Sequence, residues 1–279
     1  LLKKIARYKE ILADIREVDA IIRDELLEVK EKFGDARRTE ITGRTGEIEI
    51  EDLIADEDIV VTLTHQGYIK RMPVSIYRNQ RRGGRGVTAL TTREEDFVEH
   101  LFITSTHSHI VFFTNKGKMY RLKGYDIPEA SRQARGVALI NLIPIEPGEK
   151  VQAVYAVKDY GDGEYYVVMA TKMGKVKKTA LDEFNSPRAG LIGIVLEDGD
   201  ELIGVRLTQG NEEILLVTKQ GMSIRFSETE VRPMGRATMG VKGITLNSGD
   251  EVVSMNVVVP DGQLFVVTEK GYGKRTDLE

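Results

Sequence analysis

The chain has 279 residues, 41% of them hydrophobic and 30% charged, enough for one large core or two modest ones. It has no cysteine, which excludes disulfides and thiolate metal sites and fits a reducing cytoplasm. No apolar stretch approaches the roughly 20 residues needed to cross a bilayer, and Leu1-Leu2-Lys3-Lys4 does not open a signal peptide. A net charge of −4 argues weakly against nucleic-acid binding, but the average hides an asymmetry. Residues 59–125 hold 11 Lys/Arg against 4 Asp/Glu, a net of +7 that leaves −11 for the remainder. A basic region on an acidic body is the arrangement of a polyanion binder with one working face, ordinary fluctuation of surface charge being the alternative.

In chain order, the first element is helical. Ile5, Tyr8, Leu12, Ile15, Asp19, Ile22, Leu26, Val29 and Phe33 alternate steps of three and four, placing one stripe along a single helix over residues 1–33. Gly34 serves as its C-terminal cap. Such a stripe needs a partner, in another chain or in sequence not present here, the alternative being packing on the domain that follows. The sequence starts mid-pattern without Met, which reads as a piece of something larger. Residues 35–58 form an acidic connector in which Glu47-Ile48-Glu49-Ile50 alternates like a short edge strand.

An internal repeat follows. "VTLTHQGYIKR" (61–71) returns as "VFFTNKGKMYR" (111–121), "VMATKMGKVKK" (168–178), "LLVTKQGMSIR" (215–225) and "FVVTEKGYGKR" (265–275). Each has Thr, two residues, Gly, and a basic residue four positions later. The glycines are Gly67, Gly117, Gly174, Gly221 and Gly271. A second glycine (Gly86, Gly136, Gly193, Gly240) falls 19 residues after each of the first four and precedes Val or Ile. Within a unit, an apolar strand (59–63, 110–113, 165–169, 214–217, 264–267) meets a tight T-x-x-G turn, where glycine supplies positive φ and the Thr hydroxyl caps. A basic strand returns. A third strand starts at the second glycine (87–90, 137–140, 194–196, 241–246) and a fourth follows (97–103, 151–157, 202–207, 252–258). Four short strands per unit of about 50 residues predict an all-β, propeller-like ring of four-stranded blades. Four units are complete and a fifth stops after its second strand, so residues 59–279 read as a truncated ring.

The most basic segment is "NQRRGGRGVTAL" (79–90), in the connection between second and third strands of the first unit. Its equivalents are "SRQARG" (131–136), "SPRAGLIG" (186–193) and "PMGRATMG" (233–240), with arginines dwindling from Arg81, Arg82 and Arg85 to Arg132 and Arg135, then Arg188, then Arg236 (Arg232 lies just outside). Guanidinium forks grip phosphate oxygens, and Gly83, Gly84 and Gly86 let backbone N–H groups approach the same anion. The loop lacks a Gly-Lys-Ser/Thr ending and opens no helix, which argues against nucleotide binding. With Lys70, Arg71, Arg78, Lys116, Lys118, Arg121 and Lys123, these loops predict a curved basic track for a bent duplex, extended on later units by Lys177, Lys178 and Arg225. The basic residue four positions after each glycine stays open between a DNA contact and a solvated strand end. Stacking platforms for single strands are sparse, with no Trp. His107 and His109 read as two imidazoles on one strand face, either a partial metal site or surface histidines.

Taken together, "QRRGGRG" (80–86), "DIPEASRQARG" (126–136) and "FGDARRTEI" (33–41) resemble the C-terminal domain of the A subunit of bacterial DNA gyrase. Gln80 through Gly86 match the seven-residue box that marks gyrase among its relatives. The resemblance implies a β-pinwheel of hairpin-linked blades, preceded by the end of a coiled-coil tail helix (1–34) and a linker (35–58). It also implies chiral wrapping of double-stranded DNA, so that ATP-dependent strand passage yields negative supercoils. The catalytic tyrosine would lie outside this chain. No cofactor is expected in the fragment, with ATP and Mg2+ implied for the holoenzyme. The implied partners are the gyrase B subunit, in an A2B2 assembly, together with the remainder of the gyrase A subunit. No membrane is implied, and the location is the bacterial cytoplasm at the nucleoid. The alternatives are the corresponding domain of topoisomerase IV, whose box is degenerate or missing, and a protein-interaction propeller.

Overall fold

A computed structural model of the chain describes residues 1–35, 39, 50–76, 96–161 and 165–278. The chain divides into two compact units, residues 1–49 and 50–279.

In the first unit the heptad pattern does form helix, but as two segments, α1 (Leu2–Ala13) and α2 (Ile15–Phe33). Asp14 separates them in extended conformation (φ −125°, ψ 112°), and its side chain accepts from the Arg16 backbone N–H at 3.0 Å. An aspartate that caps a new helix competes with continuing the old one, which is why one stripe becomes two rods. Gly34 ends α2, its N–H donating to the Lys30 carbonyl, although with φ −71° rather than a left-handed cap. The strand expected at 47–50 lies outside the described residues as far as 49, and Ile50–Leu53 is a short 3-10 turn.

In the second unit the strands run β1 (Asp58–Thr64), β2 (Tyr68–Pro73), β3 (Val98–Ser105), β4 (His109–Thr114), β5 (Lys118–Lys123), β6 (Val137–Ala138), β7 (Val151–Val157), β8 (Tyr166–Thr171), β9 (Lys175–Ala180), β10 (Leu191–Ile192), β11 (Leu202–Thr208), β12 (Glu213–Thr218), β13 (Ser223–Ser227), β14 (Val241–Lys242), β15 (Val252–Val257), β16 (Gln263–Val267) and β17 (Gly273–Asp277). All named pairings are antiparallel, in sheets ordered β3-β1-β2-β6, β10-β5-β4-β7, β11-β8-β9-β14, β13-β12-β15 and β16-β17. The first, second and fourth strands of each unit therefore appear where the repeat placed them. The third does not behave as expected. In the first unit its predicted residues, 87–90, lie outside the described residues. In the next three units it is only two residues long, in the third unit it precedes Gly193 instead of following it, and it pairs with the second strand of the preceding unit. Val137 meets Ile69, Leu191 meets Met119, and Val241 meets Val176. Each of the first three sheets is completed by the next repeat.

Both glycine markers follow from this exchange. At T-x-x-G the glycine N–H donates to the Thr carbonyl at 2.8–3.0 Å and φ lies between +71° and +84°. The Thr64, Thr171 and Thr218 hydroxyls accept the N–H four residues on at 3.1–3.2 Å. A carboxylate ahead of the fourth strand adds a second cap, since Asp96, Asp200 and Asp250 accept from the turn N–H groups of Gln66, Met173 and Gln220 at 2.9–3.0 Å. The second glycines press on the neighbouring unit. A Cβ at Gly136 would sit 2.4 Å from the Ile69 carbonyl oxygen, and one at Gly240 2.6 Å from that of Val176.

The hydrophobic cores lie between sheets. Ile59, Val61, Leu63 and Ile69 pack against Ile110, Phe112, Tyr120, Ile127 and Leu139. Val111, Phe113 and Met119 pack on Val167, Met169, Phe184 and Ile194, and Val168, Ala170 and Val176 on Ile214, Leu216 and Met255. A sheet covered on both faces needs apolar residues at consecutive positions, which explains the unbroken runs in β1, β4 and β8. Fourth strands are also tied together, by Tyr155 donating to the Val205 carbonyl at 2.6 Å and Arg206 to Asn256 Oδ1 at 3.0 Å.

Gly136→Ala is expected to lower unfolding stability by about 2 kcal/mol or more, because strain at φ +89° adds to a backbone clash. Gly148→Ala, at φ +79° with open space around it, should cost only about 1 kcal/mol. Urea denaturation of both variants checks the difference, and equal losses would refute the close-approach explanation.

Candidate nucleic-acid interface

Gln80, Arg81, Arg82, Gly83, Gly84, Arg85, Gly86 and Arg78 lie outside the described residues. The other predicted cations divide into three groups by what their charged ends touch.

One group is interior, which corrects the expectation of a surface track for them. Lys70 and Lys177 are fully buried and Lys178 nearly so. The Lys70 ammonium donates to the carbonyls of Ser131, Arg132 and Ala134 at 3.1, 2.9 and 3.0 Å. Lys177 donates to Gly193 at 2.7 Å, to Thr238 at 3.2 Å and to the Arg236 carbonyl. Burial lowers both below the ordinary lysine range, Lys177 to about 8. Lys178 donates to the Glu228 carbonyl at 2.9 Å, and its ammonium lies 3.8 Å from that residue's carboxylate. Glu228 is buried in turn, its carboxylate accepting from Thr208 and the N–H groups of Gly210 and Glu212. An ammonium already surrounded by carbonyls has no donors left for a phosphate.

A second group is committed to neighbouring units or to carboxylates. Arg71 Nε donates to the Ile127 carbonyl at 2.6 Å, Arg121 to Asn185 Oδ1 at 3.3 Å and Arg225 to the Leu278 carbonyl. With Lys178 these are the four residues placed four positions after the first four turn glycines, and each reaches one unit ahead. In the first four units this position is thus a strut to the next unit, with Arg225 also exposed, while the equivalent Arg275 of the fifth unit is an exposed residue on its strand. Lys118 pairs with Glu146 at 2.6 Å, and Lys123 with Glu51 at 2.8 Å and the His107 carbonyl at 3.1 Å.

The third group faces solvent. Lys116, Arg132 and Arg188 are exposed, and Arg236 is half-buried with its backbone N–H donating to Glu183 at 3.3 Å. Arg135 stacks on the Tyr68 ring, 3.5 Å from its centroid, while donating to Gln66 at 2.9 Å. The loop of the second unit is thus latched onto the turn of the first. Arg232 and Lys242 are also exposed, beside the fourth unit's loop. The sequence signal for Lys242 is its place two residues after a second-marker glycine, on the borrowed strand.

The two histidines do not share a strand face. His107 is in the turn before β4, its Nε2 lying 2.8 Å from the Ile54 carbonyl oxygen. His109 is on β4 against the Tyr160 ring, with centroids 5.4 Å apart. Among the described residues there is no group of three or more His, Asp or Glu arranged for a metal, and no helix is long and apolar enough to cross a membrane.

Successive antiparallel sheets, the first three closed by the next repeat, with cation-bearing loops at 131–136, 186–193 and 233–240, define a propeller-type repeat domain. The chain belongs to the DNA gyrase C-terminal domain (beta-propeller) family, which matches residues 58–105, 108–158, 165–209, 212–258 and 262–279. It is 53% identical over 241 residues, 86% of its length, to the DNA gyrase A subunit of Clostridium acetobutylicum, and 52% identical over 241 residues to that of Halalkalibacterium halodurans. It spans 29% of the length of each of these relatives. Among solved structures it is similar to the C-terminal domain of DNA topoisomerase IV (30% identity, TM-score 0.72, covering 81% of this chain and 69% of that one). It is also similar to the DNA gyrase A C-terminal domain (28% identity, TM-score 0.60, covering 80% and 72%).

Burial, with Lys123 and Arg121 nearby, holds His109 down to about 4. Its folded value lies below its unfolded one, so on acidification the unfolded chain takes up the proton first. Stability is therefore lost as pH falls from about 6.5 toward 4. Thermal unfolding should show Tm falling more steeply over that window in the wild type than in His109→Gln, and parallel slopes would refute the assignment.

Proposed function

We propose that this chain binds double-stranded DNA without sequence preference and wraps it in a handed loop. In this reading it is the wrapping part of a DNA gyrase, presenting one duplex segment for ATP-dependent strand passage that introduces negative supercoils. The observation that carries the reading is the distribution of free cations. Once the buried and strut residues are set aside, Arg132, Arg188 and Arg236 remain on equivalent loops of three successive units, at outward or partly outward positions. A ladder of cations at unit spacing on rigid sheets suits a polyanion followed along its backbone. The chain has no Trp to serve as a stacking platform, so the ladder favours the phosphates of a duplex over stacked single-stranded bases.

The seven-residue box, Gln80 to Gly86, is the first and most basic member of the same series. Its intact arginines support a gyrase rather than a topoisomerase IV role. The remaining gyrase A subunit, the gyrase B subunit in an A2B2 assembly, and a bacterial cytoplasmic, nucleoid-associated location belong to this proposal. So do ATP and Mg2+, which would act elsewhere in the holoenzyme, and the catalytic tyrosine, which would lie outside these residues.

A salt titration of duplex binding tests the reading. Each phosphate neutralised by the protein contributes about 0.9 to the slope of log K against log salt. Arg132→Ala, Arg188→Ala and Arg236→Ala combined should reduce the slope by about 2 to 3, and Arg81→Ala, Arg82→Ala and Arg85→Ala by a similar amount. Circular dichroism should be unchanged in both. A slope that is flat in the wild type, or unaltered in both triple variants, would sink the phosphate-track reading.

A further inference from the structure

Lys70 and Lys177 occupy the same place in their units, three residues after Gly67 and Gly174. Both side chains run fully buried from a second strand, β2 or β9, into the loop of the following unit. There the ammonium meets backbone carbonyls: Ser131, Arg132 and Ala134 in one case, Arg236 and Thr238 in the other, the latter joined by Gly193. These are the loops that carry Arg132, Arg135 and Arg236. Backbone N–H groups supply part of what these carbonyls need, Ala134 donating to Ser131 at 3.1 Å and Val195 to Thr238 at 3.0 Å, and the ammonium supplies the rest. An ammonium supplies three N–H donors from one point, which matches three converging carbonyls as no neutral side chain of similar length does.

The intervening unit shows the alternative. Tyr120 takes the equivalent position and donates to Glu149 at 3.0 Å, and its ring lies near its following loop, so that a Cβ at Gly190 would be 3.3 Å from a ring carbon. Contact there is by packing, without donors to the loop carbonyls. The two lysine-held loops therefore differ in kind from the loop between them.

We propose that Lys70 and Lys177 are positioning residues for the DNA-contacting loops: each presets the backbone of the next unit's loop, so that its arginines face a phosphate track before DNA arrives. They touch no DNA themselves. Preset loops convert cation–phosphate contacts into curvature, because a rigid array of contacts forces the duplex to follow it, while mobile loops would follow a straight duplex. This inference rests on the DNA-binding reading for its functional half and on geometry alone for its structural half.

The test uses the 279-residue chain with Lys70→Met and Lys177→Met, variants that keep length and apolar packing but remove the donors. Amide hydrogen exchange is read first. Lys70→Met should speed exchange about tenfold or more in residues 131–136 while leaving 233–240 as in the wild type, and Lys177→Met should do the converse. Bending is read second, by energy transfer between dyes at the two ends of a duplex. Both variants should bind with a salt slope within about 0.5 of wild type, since every cation that meets phosphate is kept, yet bend DNA less.

Because the chain has no cysteine, Lys177→Cys can be alkylated selectively while unfolded and then refolded. Bromoethylamine rebuilds an ammonium of lysine length with loss of bromide, and bromoethane gives the neutral counterpart. The aminoethyl form should restore both loop protection and bending, and the ethyl form neither.

Unchanged exchange, exchange raised evenly through every sheet, or equal rescue by the ethyl form would overturn the clamp. Loop exchange that rises while bending stays at the wild-type level would overturn its link to DNA. A wild-type chain that does not bind duplex would remove the proposed function, and with it the DNA half of the inference. The exchange pattern would still decide whether the lysines hold the loops.

Discussion

A sheet edge with unpaired N–H and C=O groups must be covered, and this chain covers each of its first three with two residues borrowed from the next repeat. Val137-Ala138 closes β2, Leu191-Ile192 closes β5, and Val241-Lys242 closes β9. The exchange fixes where the loops sit, because the borrowed residues lie next to them in the chain. It also fixes what the glycines must do. Gly136 and Gly240 adopt positive φ within reach of a neighbouring carbonyl where no Cβ fits. The cores are laid between sheets by the same arrangement, so a unit's apolar faces are buried only when its neighbours are present.

Electrostatics follows from that interlock. A sequence rich in regularly spaced Lys and Arg invites the reading that all of them face a polyanion. The fold instead uses one position per unit, the fourth after the turn glycine, as a hook onto the next sheet: Arg71, Arg121, Lys178 and Arg225. It uses another, in alternate units, to hold a loop from inside. Of the predicted cations described, the strut Arg225 apart, Lys116, Arg132 and Arg188 stay exposed, the last two on the loops. Rigidity and charge thus come from the same residue types, separated by burial. Single exposed pairs such as Lys118 with Glu146 contribute little to stability beside these buried contacts.

Much of this is legible in the residues. The T-x-x-G spacing identifies every turn, and the β-branched runs identify first and fourth strands, because both signals are local. The glycine offset of 19 is also visible, yet its cause is not. Nothing within one unit says that Gly136 faces Ile69 of the unit before, so the repeat alone puts the third strand in the wrong sheet and makes it too long. Buried lysines are hidden for a similar reason: Lys70 and Lys177 read as members of a surface track until the loop carbonyls that surround them are in place. Arg135 is recognisable only by its pairing with Tyr68, 67 residues earlier. In the first 35 residues the hydrophobic stripe is continuous, and one capping aspartate, Asp14, divides the helix.

The central claim is that interlocked sheets present their loops along a curved, handed path. The measurement that bears on it most directly is the linking number of nicked circular plasmid sealed by ligase with and without this chain, then freed of protein and resolved on a two-dimensional gel. Handed wrapping of the kind proposed predicts a positive shift that grows with bound chain. Tight binding with no shift, or with a negative one, would contradict the account.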